Sequence, residues 1–338
     1  MEKQLEVAIV GCGAICGNHI NAILAAGHRI CALCDTVLKR AREKAEKYGL
    51  ENVRLYADYQ ALLERERPDA IHICTPHHLH APMTVEALKR GIHVLCEKPL
   101  CISMKQLREL REAAEKSEAQ LGVCHQNRYL PNMIRLKELS REGVRGGFGS
   151  VVWHRDEQYY RSGQWRGTWA QEGGGVMINQ ALHTLDLMQW ICGLPQRVIA
   201  HTHTDLLGDV IEVEDTATAC FECENGSRFN FFATNTAAAD LPIHLQIKLN
   251  NGDVIDVQNR QFSVNHQPME SVQGGEIVGK QVWGDGHKAL IRDFYTCIRE
   301  QRPFAIGVEE GGRVIRMILA MYASHGNPIV IPNESEEP

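Results

Sequence analysis

Aromatic residues are scarce, at 6% of the 338 positions. No apolar run reaches the ~18 residues that a membrane-spanning helix needs, so no such helix is expected. Also missing is any stripe of Lys and Arg: the 36 basic residues are scattered among 42 acidic ones, for a net charge of −6. Without a basic track to follow a phosphate backbone, nucleic acid is not an expected partner. The opening MEKQLEVAIVG runs straight into a strand-like segment, without the basic region, apolar core and small-residue cleavage site of an export signal. A cytoplasmic location is therefore expected. There is no internal repeat and no low-complexity linker; the polar, acidic tail Asn333–Pro338 is expected to fray.

Cysteine, by contrast, is plentiful, with twelve residues, most of them inside apolar strand-like runs where a thiol packs as a small hydrophobe. Cys31 and Cys34 have CxxC spacing, but they lie in the strand-like RICALCD, and strand residues three apart point to opposite faces. Reduced thiols are expected, with no metal centre.

The length allows about two domains, at ~100–200 residues each. With 44% hydrophobic and 23% charged residues, the chain has the means to bury a sizeable core. From residue 5 to about 125, short apolar runs (LEVAIVG, HRICALCD, DAIHICTP, GIHVLCE, QLGVCHQ) alternate with amphipathic stretches at Val37–Tyr48, Ala81–Arg90 and Ser103–Lys116. That alternation predicts βαβ units and a parallel sheet covered by helices on both faces. Beyond 125 the strands come as hairpins, TATACFECENGSRFNFFAT turning at Asn225-Gly226 and IHLQIKLNNGDVIDVQ at Asn251-Gly252. Helices over Met177–Ile191, Asp285–Arg299 and Glu309–Ser324 are assigned to that second, antiparallel sheet. The expected fold class is α/β: a doubly wound parallel sheet over 1–125, and an α+β domain with a large open, mainly antiparallel sheet over 126–338.

The first strand ends in GCGAICGNH, just before a helix-like stretch. A glycine-rich turn there suits a dinucleotide diphosphate: Gly11 permits the tight turn, and Gly13, with Ala14 and Ile15, brings backbone amides to the phosphates. The third motif position is Cys16, small enough for close helix–strand packing, followed by Gly17. Asp35 ends the next strand, at the ~20-residue spacing of an acid that binds the adenosine ribose hydroxyls, and it would repel a 2′-phosphate. NAD is thereby favoured over NADP. The alternatives are that Asp35 caps the following helix and that Lys39 and Arg40 neutralise a phosphate.

HICTPHHLHAPMTVEALKRGIHVLCEKPL, residues 72–100, resembles the glucose-fructose oxidoreductase/inositol dehydrogenase (Gfo/Idh/MocA) family, and the likeness extends over nearly the whole chain. The family's Thr-Pro turn corresponds to Thr75-Pro76 and its Glu-Lys-Pro motif to Glu97-Lys98-Pro99. The resemblance implies a Rossmann domain in which Thr75, Pro76, His77, His80, Glu97, Lys98 and Gln126 surround the cofactor. An ammonium at a strand's C-terminal edge can stabilise a substrate oxygen as it gains anionic character, and Lys98 fits that role. A second likeness is GGGVMINQALHTLDLMQWICG, residues 173–193, with Asn179 where the family usually has Asp. As one helix, it would carry Asn179, His183 and Asp186 on a single face. His183 is the candidate general base. Asn179 is retained in the catalytic set as a donor and acceptor, since it cannot exchange a proton; Asp186 either orients His183 or caps structure.

Arg128, Tyr129, Trp165 and Arg166 are the further candidates for substrate contact, because aromatic faces and Arg suit a polyhydroxylated ring; Trp165 and Trp169 are equally suited to core or subunit packing, and the role of Arg166 is as open. The resemblance implies an NAD-dependent dehydrogenase of a sugar or cyclic polyol, forming a homodimer or homotetramer. Two other readings remain open: a glycoside-cleaving enzyme with tightly bound NAD and a transient 3-keto sugar, and an NAD sensor that keeps only the fold.

Overall fold

The computed structural model describes residues 4–259, 261–269 and 286–332. The expected helix start at Asp285 and the tail Asn333–Pro338 lie outside them. The chain forms two compact units. One runs to Tyr129 and takes in a later segment ending at Gly312; the other starts at Leu130 and takes in the chain from Arg313.

In the first unit the elements are β1 (Glu6–Val10), α1 (Cys16–Ala25), β2 (Arg29–Cys34), α2 (Leu38–Lys47), β3 (Arg54–Tyr56), α3 (Tyr59–Arg65), β4 (Ala70–Ile73), α4 (His77–Lys89), β5 (His93–Cys96), α5 (Met104–Glu115) and β6 (Leu121–Val123). All strand pairings are parallel, in the order β3-β2-β1-β4-β5-β6. The direction of winding reverses between β1 and β4, so the loops after β1, β4 and β5 leave the same sheet edge side by side, where doubly wound folds bind ligands. Val7, Ala8, Ile9, Ile71 and Val94 are fully buried, as strands covered on both faces require. β3 is the strand that pattern reading passes over, because it is short and none of its three residues is fully buried.

In the second unit come α6 (Pro131–Leu139), β7 (Val144–Val152), α7 (Glu157–Arg161), α8 (Val176–Asn179), α9 (Leu182–Cys192), β8 (Pro195–His203), β9 (Thr216–Cys223), β10 (Arg228–Thr234), β11 (His244–Leu249), β12 (Val254–Gln258), β13 (Gln261–Val264) and β14 (Gln267–Pro268). With β15 (Ile329–Val330), the described strands form a nine-stranded sheet in the order β14-β13-β12-β11-β7-β10-β9-β8-β15. The sheet is mixed: β7 and β10 run parallel and the other pairs antiparallel. Both hairpins turn where the sequence places them, with Gly226 and Gly252 at φ +78° and +98°. Glycines in β7 let α9 lie close on the sheet: a Cβ on Gly149 would come within 2.3 Å of Met188 Sδ, and one on Gly147 within 3.3 Å of Cys192 Sγ.

Two helices depart from expectation. The expected helix over 285–299 is α10 (Gly286–Glu300), and it belongs to the first unit rather than to the second sheet. It packs on α1 and on the 3-10 turn Gln126–Tyr129, with Phe294 against Gly122 and the Tyr295 hydroxyl on His72. Its apolar stripe announces burial but not which sheet it covers. α11 (Val308–Ser324) begins in the first unit and continues in the second. The compact units therefore differ from a single division at 125/126 by the 126–129 turn and by this returning segment. All twelve cysteines but Cys220 are buried. Among the described residues, no helix is long and apolar enough to cross a membrane.

Candidate active site

The glycine loop follows β1. Gly11 has φ +93°, and a Cβ there would lie 2.4 Å from the Cys74 carbonyl oxygen, so the position excludes any side chain. Gly13 is different: it is exposed and nothing lies within 4 Å of its Cβ direction, which leaves open space above the loop's backbone. Ala14 is exposed and Ile15 half-buried. α1 starts at Cys16 with no side-chain cap and no acidic residue in its first turn, an arrangement that leaves its positive end to an anion. Cys16 is fully buried, and the glycine needed for close packing is the next one: a Cβ on Gly17 would meet the Tyr48 hydroxyl at 2.4 Å. Asp35 joins the two sides of this region, accepting from Cys12 N at 2.9 Å and from Val37 N at 2.8 Å, with Arg40 Nη1 3.9 Å away. It thus starts the turn into α2 and also steadies the loop. These residues fit a dinucleotide diphosphate and ribose.

After β4, Pro76 leads into α4 and Thr75 is half-buried. His80 ties this turn to the next strand end, lying 2.8 Å from Thr75 O and 2.7 Å from Pro99 O. Burial lowers its pKa against the pull of the two carbonyls, so a neutral ring donates to one of them at a time. His77 is buried beside it, the ring centroids 5.9 Å apart. After β5, Lys98 is half-buried and precedes Pro99 through a cis peptide bond. Glu97, expected beside the cofactor, turns its carboxylate into the unit instead. There Oε1 takes bonds from His19 Nε2 (2.9 Å) and His287 Nε2 (3.1 Å), and Oε2 accepts the Lys98 N–H at 3.2 Å. His19, Glu97 and His287 are the described residues whose spacing would suit a metal ion, their ligand atoms lying within 4.8 Å of one another. They are far apart in sequence, which hid them from motif reading. Gln126 is buried in the 126–129 turn. Arg128, expected at the substrate, is buried in an ion pair with Glu310 at 2.7 Å, and the Tyr129 hydroxyl donates to Asp293 at 2.7 Å. Both ties lie within the first unit.

In the second unit the expected single helix over 177–191 is broken. α8 ends at Asn179 and α9 starts at Leu182, with Ala181 N reaching back to Val176 O at 2.8 Å. The break follows the Gln180 side chain, which is drawn inside to bond Asn235 Nδ2 (3.1 Å) and the Tyr159 hydroxyl (3.1 Å). Unbroken helical spacing therefore does not hold for Asn179, His183 and Asp186. Asn179 and His183 are half-buried, while Asp186 is buried and accepts from Gln189 at 3.3 Å. The Asn179 amide donates to Glu172 and to the Tyr159 hydroxyl, the latter at 3.3 Å. Arg166 stacks on Tyr159 at 4.5 Å and on Trp165 at 5.3 Å, and it donates to Tyr159 O and Ser162 Oγ. Trp169 is exposed, with its indole N–H on Glu212 O and its ring edge-on to Tyr322.

Glu172 and Glu214 are the site residues that sequence reasoning missed. Burial pushes both carboxyls up to about 7. For Glu172 the Gly167 N–H and the Asn179 amide oppose that rise; for Glu214 the Met177 and Gly175 N–H groups and the Tyr322 hydroxyl do. The triple glycine serves this packing. A Cβ on Gly175 would lie 1.8 Å from Glu214 O, and one on Gly174 1.8 Å from the Tyr322 hydroxyl. Glu172 directly precedes the glycines, but its pairing with Asn179 across a non-helical run has no period to reveal it.

Comparison with known proteins matches residues 5–125 to the oxidoreductase family with an NAD-binding Rossmann fold and residues 133–255 to the GFO/IDH/MocA C-terminal domain. D-glucoside 3-dehydrogenase of Escherichia coli (strain K12) is 26% identical over 321 residues, covering 83% of this chain and 90% of that protein. Inositol 2-dehydrogenase of Rubrobacter xylanophilus is 31% identical over 196 residues, 56% of this chain and 52% of that one. Among solved structures, the WlbA dehydrogenase of Bordetella pertussis in complex with NADH and UDP-GlcNAcA superposes with a TM-score of 0.85 at 26% identity, over 98% of this chain and 100% of that chain.

Proposed function

Given that the chain belongs to the Gfo/Idh/MocA oxidoreductase family, we propose that it oxidises a secondary hydroxyl of a sugar, glycoside or inositol-like ring, with Lys98 and His183 managing the hydroxyl proton. NAD is the family's cofactor and, when bound, supplies the hydride acceptor. The observation that carries the reading is the shared edge of the parallel sheet, where the open backbone at Gly13, the Asp35 brace and Lys98 follow β1, β2 and β5 at the same end of the strands.

The amides from Gly13 to Ile15 bind the diphosphate, and Asp35 reads the ribose hydroxyls with lone pairs beyond those it gives to Cys12 and Val37. Lys98 donates a hydrogen bond to the reacting hydroxyl oxygen and stabilises its anionic character. His183 accepts the proton. Asn179, its amide oriented by Glu172 and Tyr159, binds a hydroxyl without exchanging a proton. Trp165 and Arg166 contribute a flat wall for the ring.

The relatives named for a glucoside and for inositol support the substrate class. The name D-glucoside 3-dehydrogenase speaks for oxidation at the 3-position of that relative's substrate; a second reading, in which a 3-keto glycoside forms transiently and is cleaved without net NADH, shares that first step. A panel of sugars, inositols and aryl glycosides, scored for both NADH and released aglycone, separates the two. Silence in both columns would sink both.

A homo-oligomer is part of the same proposal. Phe148, Asn230, Cys220 and Ile199 are in register across β7, β10, β9 and β8, on the face away from α9, and all four are exposed. An open sheet face with this apolar content suits a second copy.

A further inference from the structure

Five buried side chains of the first unit are linked in series behind Lys98. The Tyr295 hydroxyl lies 2.7 Å from His72 Nε2, His72 Nδ1 lies 2.7 Å from His19 Nδ1, and His19 Nε2 lies 2.9 Å from Glu97 Oε1. His287 Nε2 reaches the same oxygen from α10 at 3.1 Å, and Glu97 Oε2 accepts the Lys98 backbone N–H. His72 sits in the middle of a central strand, where an aliphatic residue would pack at no polar cost.

The hydrogen-bond geometry and the burial of these groups together assign the protons in this chain. Burial pushes Glu97 up, but the bonds from His19 and His287 outweigh it and hold the carboxyl well below its ordinary range, so it is an acceptor only. Both histidines must then carry a proton on Nε2. Burial keeps His19 neutral, so its Nδ1 is a lone pair and His72 carries its proton on Nδ1. Burial likewise keeps His72 neutral, leaving its Nε2 to accept from the Tyr295 hydroxyl, which burial keeps protonated. Every bond of the series points toward Glu97.

We propose that Tyr295, His72, His19 and His287 form a positioning relay for Lys98: they fix Glu97 as a buried anion, and Glu97 in turn holds the Lys98 backbone N–H and sets a fixed negative charge on the adjoining residue. The proposal rests on the reading of Lys98 as catalytic. The other titratable groups facing Glu97 are the Cys74, Cys96 and Cys124 thiols, which burial keeps protonated, and His80. Glu97 therefore carries the anionic charge of this cluster. A metal ion held by His19, Glu97 and His287 is the competing arrangement. Tetrahedral zinc at ~2.0–2.1 Å would hold its ligand atoms ~3.3 Å apart, whereas the contacts here are 2.9 and 3.1 Å, the separations of proton-bridged pairs.

Glu97→Gln gives a distinctive test. The amide oxygen can accept the Lys98 N–H only if the NH2 group faces His19 and His287, and both rings must then present lone pairs. The whole series reverses, with His19 donating to His72 and His72 to the Tyr295 oxygen. Histidine 15N NMR of the full-length protein should show His19 and His287 as Nε2–H tautomers and His72 as the Nδ1–H tautomer in the wild type, and all three switched in Glu97→Gln. In pH profiles with myo-inositol or methyl glucoside, loss of the fixed anion should cut kcat/KM about tenfold on the alkaline side and leave the neutral plateau within about threefold. His287→Leu should move the alkaline limb the same way, and His287→Gln, which keeps a donor, should restore it. Unswitched tautomers with an unmoved alkaline limb in Glu97→Gln would overturn the proposal. So would stoichiometric zinc in the protein as isolated. Lys98→Met, assayed in parallel, separates the two claims: full activity there removes the catalytic reading of Lys98, while the tautomers still test the relay.

Discussion

Gly13→Ala should leave the fold intact and weaken cofactor binding, whereas Gly11→Ala should damage the fold itself. Gly13 is exposed, does not have a positive φ, and has nothing within 4 Å of its Cβ direction. Alanine there should change stability by no more than about 0.5–1 kcal/mol, and by stiffening the unfolded chain it could act in the stabilising direction. The added methyl occupies the space through which a diphosphate reaches the loop amides. Losing one charge-assisted hydrogen bond, at roughly 1.5–3 kcal/mol, corresponds to an NADH affinity lower by about ten- to 150-fold. At Gly11 the methyl meets the Cys74 carbonyl at 2.4 Å, about 1 Å inside contact, at φ +93°. Overpacking and left-handed strain together should cost about 2–4 kcal/mol. NADH fluorescence titration and thermal melts on both variants read the two quantities separately. Unaltered NADH binding by a folded Gly13→Ala protein would refute the placement of the diphosphate on this loop.

Other expectations concern Asp35 and the buried carboxyls. Asp35→Ala should weaken NAD more than NADP if the carboxylate reads the ribose; an unchanged preference in binding titrations would move that role elsewhere. Glu172 and Glu214 have folded pKa values near 7, above the ordinary 4.5. Such groups contribute full stability below the unfolded pKa and lose it as pH rises through the folded one, at most about 3 kcal/mol each. Denaturation midpoints should therefore fall between pH 5 and pH 9, and Glu172→Gln should remove about half of that fall; an identical slope would contradict the assignment. Asn179→Asp would place a second carboxylate against Glu172 and should cost roughly 1–3 kcal/mol at alkaline pH. Adding Glu172→Gln should recover most of the loss, and additive losses in the double mutant would argue against the contact.

Much of the first unit was legible in the sequence. Alternating apolar runs gave five of its six strands, and the glycine turn, Asp35 and Glu97-Lys98-Pro99 lie at their ends. The misses have physical causes. β3 is too short and too exposed to carry a pattern. The apolar face of α10 identifies a buried helix without saying which sheet it buries against. Helical periodicity predicted one helix across Gln180, but the helix breaks at that residue, whose side chain bonds Asn235 and Tyr159 inside the unit. The relay behind Lys98 joins positions 19, 72, 97, 287 and 295, a grouping that only the folded sheet and α10 bring together. Arg128 and Tyr129 were chosen for their chemistry, and their observed partners, Glu310 and Asp293, lie within their own unit.

Hydride transfer itself is tested most directly by isotope. Wild-type protein is mixed with NAD and with myo-inositol or methyl glucoside bearing deuterium on every ring carbon, and the nicotinamide product is examined by mass spectrometry. The account predicts NADH carrying one deuterium at the nicotinamide ring, formed on the order of 100-fold more slowly by Lys98→Met and by His183→Ala. Undeuterated NADH, or equal rates in those variants, would contradict it.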